Sequence, residues 1–424
     1  MDELAERVWQ TVRPQELIEL LMGMVDIPSP SGDELPLAHF LVDHMRQNDI
    51  EATVQAIGEN QANAIGRIRG GGDGQSLLFY SPIDTAFSGD PAEDGDNIDL
   101  EKRQDQIPKA RLVDNVVSGL GAHNPKGHAA SAVMAAVALR RANIGLAGDL
   151  SLGMCGGGMP TAPRPSQPPD IEVGHGIGCH RLLQYGGIPD RAIVAKPGPV
   201  AFEEVGVTWF RIRVRGILGY AGTRHVVKHR NPIIEAARVV ERLENWFSEY
   251  SERHRSGSVA PQGSIGAVRS GWQYKPTFIG EWCDLYIDLR VSPRTSLQQV
   301  RREVEQAVSK IAEELGDIEI VPEMLFGIPG SHTDANDSVV KATIAAWEYA
   351  NEKGYEAPKG GSGATEANVL RLWGVPTARV GMPPPPHPLE YSGQFSMGEA
   401  HLSSLETLCR TLIHAALTLC VANH

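Results

Sequence analysis

Two patterns of hydrophobic and polar positions divide the chain. In its first 200 residues, short apolar runs that suit buried strands alternate with segments in which apolar residues recur at helical spacing. The strand-like runs are residues 63–68, 76–80, 150–154 and 192–195, and the helical segments are residues 17–21, 37–45 and 129–140. Strands that alternate with helices in this way predict a parallel α/β sheet.

The pattern changes near Val205. Residues 207–215 and 282–290 alternate between polar and apolar positions, as strands with one solvated face do, and residues 232–247 and 297–315 have helical spacing. The α/β pattern returns after Pro322, and residues 374–380 are the last predicted core strand. We therefore expect an α/β main domain formed by residues 1–204 and 323–424, with an inserted α+β domain at residues 205–322.

Composition and charge exclude several classes of protein. The 424 residues carry a net charge of −13, which leaves no surplus of cations for a nucleic acid or an anionic membrane. The five cysteines form no C-x-x-C pair, and the acidic N-terminus lacks the features of a signal peptide. No uncharged apolar run approaches the length of a membrane span. These features predict a soluble, cytoplasmic protein with neither a nucleic-acid nor a membrane partner.

Several motifs follow one another in an order and spacing that match one enzyme family. They are Tyr80-Ser-Pro-Ile-Asp-Thr85, Gly119-Leu-Gly-Ala-His-Asn-Pro-Lys-Gly127, Pro189-Asp-Arg-Ala-Ile-Val-Ala-Lys-Pro197, Asn231-Pro-Ile-Ile-Glu-Ala-Ala237, Ile287-Asp-Leu-Arg-Val-Ser-Pro293, Gly363-Ala-Thr-Glu-Ala-Asn-Val-Leu370, Gly374-Val-Pro-Thr377 and His387-Pro-Leu-Glu-Tyr391. The chain resembles the dinuclear zinc peptidases and amidohydrolases typified by acetylornithine deacetylase, succinyl-diaminopimelate desuccinylase and peptidase T (metallopeptidase family M-twenty). This resemblance implies a zinc-peptidase-like catalytic domain with an inserted lid domain, through which the chain forms a homodimer.

The sequence departs from this family at the metal ligands. The positions that the resemblance assigns to the first His, the bridging Asp and the Glu of the E-P pair hold Pro82, Asn124 and Lys196, and the paired glutamates fall in residues 155–160. Of the family's ligands His387 remains, together with Asp84, which in the family orients the first His. A catalytic zinc ion needs about three protein ligands. The sequence therefore predicts that the dinuclear centre is lost and that no metal cofactor is held.

Two mechanisms remain open for such an altered site. In the first, Cys155 is the nucleophile: Lys196 would favour its thiolate, the amides of residues 156–158 would hold an oxyanion, and His123 or His387 would be the base. The alternative for this cysteine is a buried, inert thiol. In the second mechanism water is the nucleophile, Asp84, His387 or Glu366 is the base, and Lys196 polarises the substrate in place of a zinc ion. Alternatives for the two acids are a structural hydrogen bond for Glu366 and a capping role for Asp84.

The remaining candidates concern binding of substrate or metal. The predicted substrate-binding residues are Asn124, His123, Tyr220, His225, Asn231 and Arg290. Tyr220 aligns with the family's lid histidine, for which the nearby His225 could substitute, whereas Arg290 could simply pair with Asp288. Two weaker hypotheses place one metal ion on His387, Glu366 and His123, or on the loop that carries His175, Cys179 and His180.

From these residues we expect a metal-independent or metal-altered hydrolase that cleaves a C–N bond of a small, anionic amide or N-acyl compound. The alternative is an inactive relative that binds a small ligand as a regulatory dimer. The retained set Asp84, Lys196, Glu366 and His387 favours a rebuilt catalytic site over decay.

Overall fold

A computed structural model describes residues 1–72, 74–316 and 318–421. Its helices are α1 (Asp2–Trp9), α2 (Pro14–Val25), α3 (Leu35–Gln47), α4 (Pro91–Asp94), α5 (Lys126–Arg141), α6 (Ile177–Gly186), α7 (Pro232–His254), α8 (Leu297–Glu314), α9 (Ser338–Asn351), α10 (Ala367–Leu372) and α11 (Leu402–Cys420). Its strands are β1 (Glu51–Ala56), β2 (Ala62–Ile68), β3 (Leu77–Pro82), β4 (Arg111–Val113), β5 (Val116–Ser118), β6 (Leu150–Cys155), β7 (Arg191–Ala195), β8 (Glu203–Glu204), β9 (Gly206–Arg215), β10 (Gly219–Tyr220), β11 (Gly263–Ser270), β12 (Phe278–Ile279), β13 (Trp282–Val291), β14 (Ile320–Ile328), β15 (Ser331–His332), β16 (Thr377–Val380) and β17 (Glu399–His401).

The first compact unit contains residues 1–202, 333–357 and 365–424 and is built on one mixed sheet. Its strand order is β1-β2-β6-β3-β7-β16. Strand β3 runs parallel to both β6 and β7, and every residue of β3 is buried, as the continuous apolar run predicted. The sheet is not parallel throughout, because β2 pairs antiparallel with β1 and with β6.

Helix α5 illustrates how the core of this unit is packed. Small alanine side chains fill much of the helix, and all of its residues from Lys126 to Leu139 are buried. It packs against the sheet and against α2 and α11, which a helix with apolar residues on every face can do. Thus this helix lies at the centre of the unit and fixes the loop that precedes it.

The second compact unit contains residues 203–332 and 358–364. Its main sheet has the antiparallel order β11-β13-β9-β14, and buried residues alternate with half-exposed ones along β9 and β13, as predicted. Helices α7 and α8 pack on the sheet and supply the apolar side chains of a separate core. Pro322 lies inside β14, so this unit continues past the boundary expected from the sequence.

Across the described parts of the chain, none of the helices combines the length and the apolar character required to cross a bilayer.

Candidate functional site

The candidate site lies where three parallel strands of the first unit end. Pro82 at the end of β3 pairs with Cys155 at the end of β6, and Lys196 directly follows β7. The carboxyl ends of parallel strands share one edge of a sheet, which is where ligands bind in α/β proteins. The fold therefore gathers Asp84, the glycine loop 156–158 and Lys196 at one edge, as the motif positions implied.

Lys196 and Glu366 form a buried ion pair. The Lys196 ammonium lies 3.3 Å from Oε1 and 3.2 Å from Oε2 of Glu366, and the residues are only 6% and 3% exposed. Glu366 immediately precedes helix α10, which positions its carboxylate. Burial raises the pKa of Glu366, and the positive charge of Lys196 opposes this rise. The pair therefore combines a carboxylate with enhanced basicity and a cation that holds it.

Asp84 is fully buried and fixes the glycine loop. Its Oδ1 accepts a hydrogen bond from the Gly158 amide at 2.7 Å, and its Oδ2 accepts from the Met159 amide at 2.9 Å and from Ser31 Oγ at 2.5 Å. Burial raises the pKa of Asp84, while these three donors and the charge of Lys196 lower it. Because both oxygens are occupied, the geometry supports the capping role for Asp84 over that of a general base.

Glu34 is an acidic residue of this site that the sequence analysis did not select. Its Oε1 accepts hydrogen bonds from the amides of Gly157 at 2.8 Å and Gly32 at 3.0 Å, whereas its buried Oε2 has no partner among the described residues. Burial and then the charge of Asp84 raise the pKa of Glu34 well above its usual range. The buried environment therefore favours the protonated form of Glu34. The pattern Ser31-Gly-Asp-Glu34 before an apolar helix resembles a capping box and could have revealed this residue.

Cys155 lies at the predicted strand end but is not activated. It is fully buried, and burial raises the pKa of its thiol well above the usual range, with Cys179 and Glu366 adding to the effect. A nucleophilic cysteine needs a lowered pKa. This environment fits the alternative of an inert thiol, and the cysteine mechanism does not enter the proposal below.

His123 lies against a second histidine. Its ring packs edge-on against His128 with centroids 5.2 Å apart, and burial lowers the pKa of His123 to about 4. The His123 carbonyl lies 2.8 Å from Nδ1 of His128, and the Met382 amide donates a hydrogen bond to Nε2 of His128 at 3.2 Å. His128 is thus neutral, with its proton on Nδ1, and both imidazoles are uncharged at pH 7.

His387 and Asn124 have their contacts elsewhere in the first unit. His387 is exposed, and its ring centroid lies 6.4 Å from that of His401. Asn124 Nδ2 donates to Met397 Sδ at 3.4 Å. Within the residues that the structure describes, neither of them hydrogen-bonds to Lys196 or Glu366, which bond to each other.

The four candidates in the second unit have local contacts. The Asn231 side chain caps helix α7 by accepting from the Ile233 amide at 3.0 Å, and Arg290 Nε donates to Asp288 Oδ1 at 2.6 Å, which is the structural pairing already considered. The Tyr220 ring lies 5.6 Å from that of Phe278, and His225 is exposed. Their role in substrate binding stays a prediction.

The dinuclear metal centre implied by the resemblance does not fit these residues. A Cβ atom built on Gly158, where the family's paired glutamates fall, would collide with Oε1 of Glu366 and lie 2.5 Å from Cβ of Pro82. Lys196 contributes a positive charge at another former ligand position, and a cation next to two divalent ions would be strongly repelled. Protein atoms fill this space. The Lys196–Glu366 pair offers one carboxylate and one cation, which is not a set of ligands that zinc binds.

The two single-metal hypotheses find no support either. Within residues 1–72, 74–316 and 318–421, no three His, Cys, Asp or Glu side chains are grouped so as to hold a metal ion. This finding applies to the set His387, Glu366 and His123. It applies equally to the loop with His175, Cys179 and His180, in which His180 Nδ1 accepts a hydrogen bond from Trp373 Nε1 at 3.4 Å.

Comparison with known proteins agrees with this architecture. Residues 202–315 match the family model of the peptidase dimerisation domain. Human carnosine dipeptidase 1 superimposes with a TM-score of 0.71 at 14% identity over 98% of both chains. The aminopeptidase PepT of Bacillus cereus gives 0.64 at 17% identity over 96% of this chain and 99% of its own. A metallo-carboxypeptidase of Sulfolobus solfataricus from the M-twenty family gives 0.65 at 13% identity over 95% and 99%.

These matches confirm the fold class and the resemblance that the sequence motifs indicated. The chain therefore has the fold of the M-twenty peptidases, and its residues 202–315 are similar to their dimerisation domain.

Proposed function

We propose that this protein is a hydrolase that cleaves a C–N bond in a small, anionic amide or N-acyl compound, and that Lys196 and Glu366 perform the chemistry without the family's two metal ions. The observation that carries the proposal is the ion pair itself. A base whose pKa is raised by burial lies 3.2 Å from a cation, at the sheet edge where α/β enzymes bind ligands.

In the proposed reaction water is the nucleophile. The Glu366 carboxylate takes a proton from water as the water oxygen bonds to the carbonyl carbon of the substrate. Lys196 donates a hydrogen bond to the carbonyl oxygen, on which negative charge develops. The C–N bond then breaks, and Glu366 returns its proton to the departing nitrogen. The near-complete burial of both side chains favours these steps, because electrostatic interactions are stronger in a low-dielectric site.

An anionic substrate is supported by the charges in the site. The carboxylates of Asp84 and Glu34 accept hydrogen bonds from backbone amides, and Lys196 is the cation of this site that a substrate carboxylate or a developing oxyanion would contact, in competition with Glu366. The expectation that Arg290 contacts the same carboxylate stays a prediction from the sequence, and in the second unit Arg290 Nε donates to Asp288 Oδ1 at 2.6 Å.

The test is a panel of N-acyl amino acids and dipeptides, assayed for amine release in the presence of a strong chelator. We expect at least one compound to be hydrolysed, and Glu366→Gln to lower kcat about 100-fold or more, as loss of a general base does. The exposed Glu356 supplies the matched control, and Glu356→Gln should leave kcat unchanged. Activity that requires added metal would contradict the proposal.

A second candidate function is supported by one observation. Each charge of the Lys196–Glu366 pair is neutralised by the other, and the side chains are only 7% and 2% exposed, as in a structural ion pair. The protein would then be a non-catalytic binding or regulatory protein. Ligand binding without turnover of any compound in the panel would favour this function.

We also propose that the protein forms a homodimer through its second unit. The match of residues 202–315 to a peptidase dimerisation domain supports this arrangement. Strand β11 lies at an edge of the four-strand order and has mostly exposed residues, so its free side could pair with a second copy.

A further inference from the structure

Residues 160–174 of the first unit form a surface loop, called the strap below, whose two ends meet. At its neck the His175 amide donates a hydrogen bond to the Met159 carbonyl at 2.9 Å, and the Gly176 amide donates to the Gly157 carbonyl at 2.8 Å. A loop whose ends are close together in this way is an Ω-loop, a kind of segment that frequently has a function of its own.

The neck of the strap lies against Glu366. A Cβ atom built on Gly158 would collide with Oε1 of Glu366, and one built on Gly176 would lie 3.7 Å from Cγ of Glu366. Because Glu366 and Lys196 are only 3% and 6% exposed, a substrate reaches them only if the protein around them moves. Gly157 and Gly176 have φ angles of 65° and 82°, in the left-handed region that glycine adopts without strain, so the neck suits a hinge.

Arg164 fastens the strap to the rest of the first unit. Its guanidinium donates one hydrogen bond to Asp33 Oδ2 and another, at 2.8 Å, to Glu93 Oε2. The Ser166 hydroxyl donates to Oε1 of Glu93 at 2.6 Å. The hydrogen bond from Ser166, together with Arg164, lowers the pKa of Glu93, which keeps the carboxylate charged at neutral pH. The three charged side chains are partly exposed, so water can compete for these contacts.

The remaining contacts of the strap are few and local. Val173 is a buried apolar anchor, and its carbonyl accepts a hydrogen bond from Gln61 Nε2 at 2.7 Å. The Gln167 side chain donates to the Ser31 carbonyl at 3.1 Å, whereas residues 168–172 are exposed. A segment with little buried apolar surface and exposed polar contacts can open locally while the rest of the domain stays folded.

We propose that the strap is a gate over the Lys196–Glu366 pair. It opens about its glycine neck when Arg164 releases Asp33 and Glu93, and it closes again over a bound substrate. Closure keeps bulk water away from the ion pair, which strengthens the electrostatic interactions there. This inference rests on the proposed function in one respect, because the need for a gate arises from a substrate that must reach Glu366.

Chemical labelling of Lys196 tests the gate without any substrate. The full chain is treated with sulfosuccinimidyl acetate at pH 8, and the rate of acetylation at each lysine is followed by peptide mass spectrometry. The rate at a buried amine follows the fraction of molecules in which it is open to solvent. We expect Arg164→Met to accelerate the labelling of Lys196 about tenfold, because hydrogen bonds between charged groups are worth about that much, and Glu93→Gln to accelerate it about threefold. The exposed Lys310 is the internal standard and should react at an unchanged rate.

Arg141→Met is the matched control, since it removes a partly exposed ion pair with Glu16 outside the strap and should leave the labelling of Lys196 unchanged. Equal acceleration by the control and by Arg164→Met would overturn the proposal, as would unchanged labelling of Lys196 in folded Arg164→Met and Glu93→Gln proteins. Because no turnover is measured, the gate can fail while the hydrolysis stands, and the hydrolysis can fail while the gate stands.

Discussion

The ammonium group of Lys196 lies 3.2 Å from Oε2 of Glu366, although 170 positions separate the two residues in the chain. The pair occupies the strand-end position where the resemblance places zinc ligands, and it is nearly closed to solvent. A single lysine thus supplies positive charge where the family's resemblance implies two metal ions. The cost of burying these charges is offset when the two are paired, so each residue depends on the other.

This dependence can be measured by a double-mutant cycle. Lys196→Met leaves a buried carboxylate without its cation, and we expect a loss of about 3–5 kcal/mol in the free energy of unfolding. Glu366→Gln should cost a similar amount, whereas the double variant should recover most of the loss. The measurement is urea-induced unfolding at pH 7. Lys102→Met, which breaks the exposed pair with Asp99, is the control and should leave the free energy of unfolding almost unchanged, because solvent screens an exposed pair. Additive losses would show that the pair is not coupled.

The buried acid Glu34 predicts a specific dependence of stability on pH. Because burial raises the pKa of Glu34 in the folded state well above its usual value of 4.5, the folded state binds its proton more tightly than the unfolded state. The contribution of Glu34 to stability is therefore full below pH 4.5 and falls as the pH rises toward the folded pKa, by up to about 1.4 kcal/mol per pH unit.

Glu34→Gln removes this titration while keeping the size of the side chain. We expect the free energy of unfolding of the variant, relative to wild type, to increase steadily between pH 5 and 7, as measured by urea unfolding. The exposed Glu59→Gln should show a much smaller change over this range. A difference between Glu34→Gln and wild type that is constant with pH would contradict a raised pKa for Glu34 in the folded protein.

Cys155 is predicted to be unreactive in the native protein. Burial holds its pKa well above the usual range, so little thiolate forms at pH 8. We expect iodoacetamide to leave Cys155 unmodified in the folded protein and to alkylate it after unfolding in urea, as followed by mass spectrometry. The unfolded sample serves as the control. Rapid alkylation of Cys155 in the folded state would contradict this prediction and would support the mechanism in which Cys155 is the nucleophile.

The sequence predicts most of this fold because its elements follow local patterns. Strand β3 and helix α5 were expected from an apolar run and from helical spacing, and both occur. Lys196 and Glu366 were selected because their motifs align with a family pattern, and the fold brings them together. The extent of β14 was not predicted, since Pro322 resembles a domain boundary in sequence and yet lies inside a strand.

Two other outcomes have a physical origin. The pattern Ser31-Gly-Asp-Glu34 marks Glu34 as a residue at a helix start, but its burial results from contacts with Gly157, which is distant in sequence and which no local pattern reports. His387 was selected because its motif matches the family pattern, and its catalytic role stays a prediction, since the position of a side chain that follows a run of prolines depends on how the whole loop packs. In the structure its ring centroid lies 6.4 Å from that of His401.

The central claim is that an ion pair has replaced the metal centre, and elemental analysis tests it most directly. The untagged protein should be purified without added metal, incubated with excess zinc, dialysed and analysed by inductively coupled plasma mass spectrometry. The account predicts well under one metal ion per chain, because Lys196 and Pro82 provide no ligands and Glu366 is occupied. One or two tightly held ions per chain would contradict it and would mean that a metal site has been rebuilt from other residues.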